Sequence, residues 1–157
     1  MNEEVKEEPK QKWYKSSRFI AIICVILIMG IFNQFFTIVI VSGSSMEPTY
    51  KTGSIGFAEK KYNELNRFDV VVIDSFSADR ILIKRIIGLP GETIEYKNHI
   101  LYVNGIEVED SFSSITSDYS ITVNDGCYFC LGDNRQNSAD SRVYGCFTKS
   151  EIMAKLK

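Results

Sequence analysis

Hydrophobic and polar positions divide the chain sharply near its start. Residues 1 to 18 are polar. Phe19 to Phe32 then runs FIAIICVILIMGIF, fourteen residues without a charge, and after Asn33 and Gln34 the apolar pattern resumes as FFTIVIV through Val41. Phe19 to Val41 together make 23 uncharged residues, enough to cross a hydrocarbon layer about 30 Å thick as a helix. No polar face interrupts its first fourteen residues, which argues against a buried soluble helix. A cleaved secretory signal is a second reading, because the small residues Ser42 to Ser45 follow. A retained anchor over residues 19–34 is favoured, since Trp13 and Tyr14 precede it where interfacial aromatics belong. The nearest charges before it, Lys10, Lys12, Lys15 and Arg18, are all basic, so the positive-inside tendency leaves the N-terminal tail (1–18) cytoplasmic and the remainder outside.

From Phe35 the period changes from helix to strand. Phe35 to Val41 reads as a strand leaving the membrane, and RFDVVVIDS (67–75) and ILIKRII (81–87) as short β-branched strands. The turn GLPG closes the second. TIEYKN, ILYV and IEVED follow, with Asn104-Gly105 as a hairpin signal between the last two. Gly126 to Leu131 gives a further strand, and TKSEIMAKLK near the end reads as a short helix. The expectation is a mainly β domain over residues 35–157 on a single N-terminal transmembrane helix, with no internal repeat. Its 123 residues suffice for one core.

Composition removes several kinds of chemistry. The chain has 157 residues and 18 basic against 20 acidic side chains, a net charge of -2 that provides no basic field for nucleic acid. Its one histidine, His99, excludes two-histidine zinc motifs and lies at a predicted hairpin end, a poor place for a general base. No metal or cofactor is expected.

Three segments depart from ordinary β-protein. SGSSMEPTY (42–50) sets small residues on a tight turn straight after a strand, which exposes a serine hydroxyl; such clusters are more often plain loops. Lys84 and Arg85 alternate within ILIKRII, so Lys84 shares a face with Leu82 and Ile86. Such a lysine either snorkels from an edge strand or is desolvated until its pKa, normally about 10.4, falls far enough for it to serve as a base. GDNRQNSADSR (132–142) carries more hydrogen-bonding capacity than a turn needs. A calcium loop competes for that segment, but Arg135 stands where an acidic ligand is required.

SMEPT (45–49), KRIIGLPGE (84–92) and GDNRQNSADSR, in that order and with RFDVVV (67–72) between the first two, resemble the type I signal peptidases of bacteria. The resemblance covers the anchor to about Gly145 and is closest to the short, Gram-positive-like form. It implies a membrane-anchored serine endopeptidase that removes signal peptides from secretory precursors. By that resemblance Ser45 is the nucleophile and Lys84 the general base, a Ser-Lys dyad in place of Ser-His-Asp. Ser138 orients the lysine, Asp140 and Arg142 form a supporting ion pair, and Asp133 and Arg135 are scaffolding. The Ser45 N–H is one oxyanion donor. The second is open, because Gly43 stands where many relatives carry a serine. Met46 borders the pocket for the residue before the cut, with Val39, Val41, Leu82 and Ile83 as further lining. Small residues of Ala-x-Ala type are the expected preference. The partners implied are signal peptides and membrane lipid, for a protein acting as a monomer.

Two other readings stay open. A self-cleaving repressor-type Ser-Lys protease would lack the membrane span and carry a helix-turn-helix. A non-catalytic binding protein on the same fold would have lost Ser45 or Lys84. Among the cysteines, Cys24 falls in the anchor. Cys127 and Cys130 point to opposite faces of one strand, against a local disulfide and a redox CxxC site. Cys130 reads as a small buried hydrophobe, and a bond from Cys146 to one of the others is undetermined.

Overall fold

The structure, a computed structural model, describes residues 13–112 and 117–157, and side chains from residue 17 onward. Lys10 and Lys12, and the side chains of Trp13, Tyr14 and Lys15, therefore lie outside what is described. The chain forms two compact units that divide between Gln34 and Phe35.

The first unit is α1 (Trp13–Phe35), which begins before the expected anchor and ends one residue beyond it. Its stretch Ser17–Phe35 has a mean hydropathy of 2.1 over 19 residues, and none of it is buried in protein. Ile, Leu, Val and Phe occupy all sides of it, so no solvent-facing stripe exists. A helix apolar all round requires an apolar surrounding.

The second unit is built from strands. They are β1 (Phe36–Ile40), β2 (Ile55–Glu59), β3 (Val70–Ser75), β4 (Arg80–Gly88), β5 (Thr93–Lys97), β6 (Ile100–Val103), β7 (Ile106–Val108), β8 (Tyr119–Thr122), β9 (Cys127–Leu131), β10 (Phe147–Thr148) and β11 (Ile152–Leu156), with one short helix, α2 (Ser141–Tyr144). Seven strands form a sheet in the order β1-β2-β11-β3-β4-β9-β10, and four form a smaller one, β7-β6-β5-β8.

Each sheet follows from its sequence pattern. Val70 to Ile73 is buried on both faces, as the unbroken β-branched run requires. The Asn104-Gly105 turn joins β6 to β7 with both residues at positive φ, 51° and 78°. The core comprises three apolar clusters. One, around Ile94, Tyr96, Leu101 and Phe129, supports the small sheet. A second gathers Val71, Ile73, Leu82, Ile86 and Cys130. The third gathers Met46, Ala58, Val70, Val72, Ala154 and Leu156.

The segment expected as a terminal helix is instead β11. Its Ile152, Ala154 and Leu156 are buried while Met153 is exposed, a period of two. Burying those three between β2 and β3 outweighs the helical preference of Met, Ala, Lys and Glu. The RFDVVVIDS strand starts at Val70 rather than Arg67, because Arg67 turns aside to clasp Glu92 with two bonds of 2.9 and 2.6 Å.

Candidate active site

The loop between β1 and β2 carries Ser45. Its neck is closed by Val41 N to Ser54 O (2.9 Å) and Gly53 N to Val41 O (2.8 Å), and inside it Tyr50 N bonds Met46 O (2.9 Å). Met46, 1% exposed, is its apolar peg, sunk among Ala58, Val70, Val72, Ala154 and Leu156. With the following residue fixed in the core, the Ser45 hydroxyl is left at a cavity wall. Asn134 holds the same turn from across the molecule, through its N–H to Ser45 O (3.0 Å) and its side-chain amide to Ser44 O (3.2 Å).

Lys84 approaches from β4. Its register opposite Val71 sets it on the face of Leu82 and Ile86, and it is 2% exposed. Its Nζ lies 2.7 Å from Ser45 Oγ. Burial disfavours the ammonium and is the dominant influence; the carboxylate of Asp140 opposes it, and the outcome is a pKa lowered from 10.5 to about 8. An amine that is partly neutral near physiological pH and in contact with a hydroxyl can take that hydroxyl's proton.

The polar segment 132–142 buttresses both residues. Asp133, its side chain fully buried, binds Arg85 through two parallel bonds of 2.7 Å and accepts a third, of 2.6 Å, from Thr49 Oγ1. Asp140 caps α2. It accepts from Arg142 Nε and Nη2 at 2.8 Å and from Gly132 N at 3.1 Å. Burial would raise its carboxyl pKa, but the Arg142 guanidinium and the Gly132 N–H outweigh burial and hold it below the ordinary 3.8. Arg135, the largest fully buried side chain, pairs with Asp110 and donates to Tyr96 Oη (2.7 Å) and Gly132 O (3.0 Å). Asp133 and Arg135 are thus both scaffolding residues in geometry, each with its own distant partner. The carboxylates that a calcium loop would turn upon an ion are engaged by arginines.

Ser138 lies behind the dyad, beside Asp140. Its hydroxyl is buried near Asp140 but makes no well-formed hydrogen bond among the described residues, to Lys84 or to any other group. Gly132 explains the crowding there: a Cβ on it would lie 2.3 Å from Ser138 Oγ and 2.5 Å from Ser45 O.

Val39, Val41, Met46, Leu82 and Ile83 all line one cavity of about 850 Å³ together with Ser45 and Lys84. The cavity lies between β1, an outer strand of the large sheet, and residues 80–84 of β4, which pair with β3 but not with β9. The Ser45 N–H donates to no backbone acceptor among the described residues. Beside it Ser44 Oγ accepts from the Asn137 side-chain amide (2.9 Å), and both residues border the cavity. His99 sits at positive φ in the β5–β6 turn and does not line the cavity.

Sequence reasoning missed Thr49, Arg85, Asn134 and Asn137, although the motifs contained all four. Asp110 and Tyr96 belong to none of the motifs and had no signal at all.

The family described as "Signal peptidase, peptidase S26" matches residues 11–157. This chain belongs to that family. Signal peptidase I S of Bacillus subtilis (strain 168) is 37% identical over 94% of this chain and 86% of its own length. Signal peptidase I of Bacillus caldolyticus is 33% identical over 96% of this chain and 90% of its own. Among solved structures, a signal peptidase I from Enterococcus faecalis V583 superposes with a TM-score of 0.57 at 31% identity, covering 62% of this chain and all of the other. The mainly β unit described above is therefore a signal-peptidase fold, and the apolar α1 that precedes it is consistent with a membrane anchor.

Proposed function

We propose that this signal peptidase family member is an anchored serine endopeptidase with Ser45 as nucleophile and Lys84 as general base. The observation that carries the proposal is the 2.7 Å contact between Lys84 Nζ and Ser45 Oγ, made by a lysine that burial has brought to a pKa of about 8. Neutral Lys84 takes the hydroxyl proton as Ser45 Oγ attacks the scissile carbonyl carbon. The resulting ammonium returns that proton to the leaving amine. The C–N bond breaks and leaves an ester on Ser45. Water, deprotonated by the same lysine, then attacks the ester and releases the new C-terminus. The Ser45 N–H is the first oxyanion donor.

The substrate is the signal segment of a secretory precursor. The open edge of β4 at residues 80–84 accepts an extended peptide by main-chain pairing. The apolar wall of Val39, Val41, Met46, Leu82 and Ile83 then receives small side chains before the cut, of Ala-x-Ala type. Ser138, Asp140 and Arg142 act as support for the dyad. The domains are a cytoplasmic tail (1–18), an anchor (19–34) and an extracytoplasmic catalytic unit (35–157), with the basic residues around Arg18 setting that orientation. The protein acts as a monomer held in lipid, where sharing one membrane with its substrate raises their effective concentration.

The test is cleavage of a precursor carrying Ala at both preferred positions, in detergent, by wild type, Ser45→Ala and Lys84→Ala. Cutting at the expected bond by wild type alone supports the dyad. Cutting that survives in either variant removes that residue from its role. A folded wild type that binds precursors without cutting them would make this a binding protein.

A further inference from the structure

Cys127 opens β9, and Cys146 stands immediately before β10. These strands pair antiparallel, with Thr148 opposite Cys127 and Phe147 opposite Tyr128. Residues two apart along a strand share a face, so Cys146 and Thr148 both project to the side on which Cys127 lies. Cys146 is therefore the diagonal neighbour of Cys127 across the pair. Packing agrees with register. Both cysteines lie against the cluster containing Phe129 and Leu131, whereas Cys130 is fully buried in the cluster on the other side. Cys146 is also an electrostatic neighbour of Cys127. Each is half-buried, and so within reach of a small reagent.

We infer that Cys127 and Cys146 are a thiol-disulfide site whose oxidation closes a covalent ring around the catalytic buttress. The ring would run from residue 127 to residue 146 and contain Asp133, Arg135, Ser138, Asp140 and Arg142. The oxidant is a small-molecule disulfide. One cysteine loses its proton, and its thiolate attacks the disulfide and expels one small thiolate, leaving a mixed disulfide. The second cysteine, deprotonated in turn, attacks the sulfur of the first and expels the other small thiolate. Two protein thiols thus become one S–S bond, and one reagent disulfide becomes two thiols. Burial, reinforced by the neighbouring Cys146 thiol, pushes the Cys127 thiol up to about 11, so closure is slow at neutral pH and faster in alkali.

The bond stands apart from the serine–lysine chemistry and does not depend on it. It would restrain the unfolded chain at the neck of the buttress loop, and so raise the temperature at which the unit melts.

The full chain in detergent would be incubated with oxidised glutathione at alkaline pH, denatured, alkylated and mapped by mass spectrometry without reduction. The expected product has lost two hydrogens, joins the Cys127 and Cys146 peptides, and leaves Cys24 and Cys130 alkylated. Its melting midpoint rises by several degrees and returns on reduction. Cys127→Ser and Cys146→Ser should each lose both the cross-link and the rise. Alkylation of both cysteines after oxidation, a link through Cys130, or a mixed glutathione disulfide that never closes would overturn the site. A cross-linked protein melting at the unlinked temperature would overturn the ring's role.

Discussion

Asp133 grips Arg85 with both carboxylate oxygens, and Arg85 is the residue next to Lys84. Because neighbouring strand residues point to opposite faces, the clasp holds β4 from one side while Lys84 enters the cavity from the other. The same carboxylate receives Thr49, four residues beyond Ser45. One buried group thus joins the serine loop, the lysine strand and the polar buttress.

Removing either partner of that clasp leaves a buried charge unpaired. Arg85→Ala and Asp133→Ala should each destabilise the unit by about 3–5 kcal/mol. The double variant should cost less than the sum of the two, with a coupling energy of at least about 1 kcal/mol. Denaturant unfolding of the four proteins checks this, and strict additivity would show that the pair is not coupled.

Under the proposed mechanism the pH dependence of cleavage follows from Lys84. Below its pKa the amine is protonated and cannot accept the Ser45 proton. kcat/KM should therefore rise with pH along a limb whose apparent pKa is about 8. A rate profile between pH 6 and 10 checks it, and a limb centred near 10.5 would show a solvated lysine.

The same burial has a stability consequence of opposite value to the protein. A lysine whose pKa drops from 10.5 to about 8 on folding makes the folded state bind fewer protons than the unfolded one between those pH values. At about 1.36 kcal/mol per unit, the charged form costs folding about 3 kcal/mol at pH 7. That cost is relieved as pH rises through 8 toward 10.5. Lys84→Met should accordingly be inactive and more stable than wild type at pH 7, with the advantage shrinking at pH 10. Melting midpoints at the two pH values measure the difference.

Gly132→Ala tests the crowding behind the dyad. The added methyl would lie 2.3 Å from Ser138 Oγ and 2.5 Å from Ser45 O, so the serine loop must shift. A displacement approaching 1 Å can lower turnover about 10²-fold. The fall should appear in kcat more than in KM, with circular dichroism unchanged. Wild-type turnover would mean that the loop absorbs the methyl.

Much of this was legible in the sequence. Short β-branched or aromatic runs between turn signals located β1, β3, β4, β5, β6, β7 and β9, and uninterrupted apolarity located α1. The two members of the proposed dyad could be named separately, but their 2.7 Å contact spans 39 positions and needs the fold. Arg135 and Asp110 show the limit. They pair across 25 positions, and an aspartate among the acidic and small residues 107–111 looks like any solvated carboxylate. β11 was misread because its residues favour helix in isolation, although the alternation of Ile152, Ala154 and Leu156 was present. β2 and β8 are short, and β2 begins Ile-Gly, so neither stood out from its turns.

The position of β11 also sets how the two halves of the site are joined. It lies between β2 and β3 in the large sheet, so without it the sheet falls into two pieces. One is the β1–β2 hairpin, which holds Ser45 in its loop; the other is built on β3 and β4 and holds Lys84. Each piece is a pairing of strands consecutive in sequence, β1 with β2 and β3 with β4. In the folded unit Ser45 and Lys84 are therefore joined twice, through the sheet by β11 and through side chains by Asp133, which binds both Thr49 and Arg85.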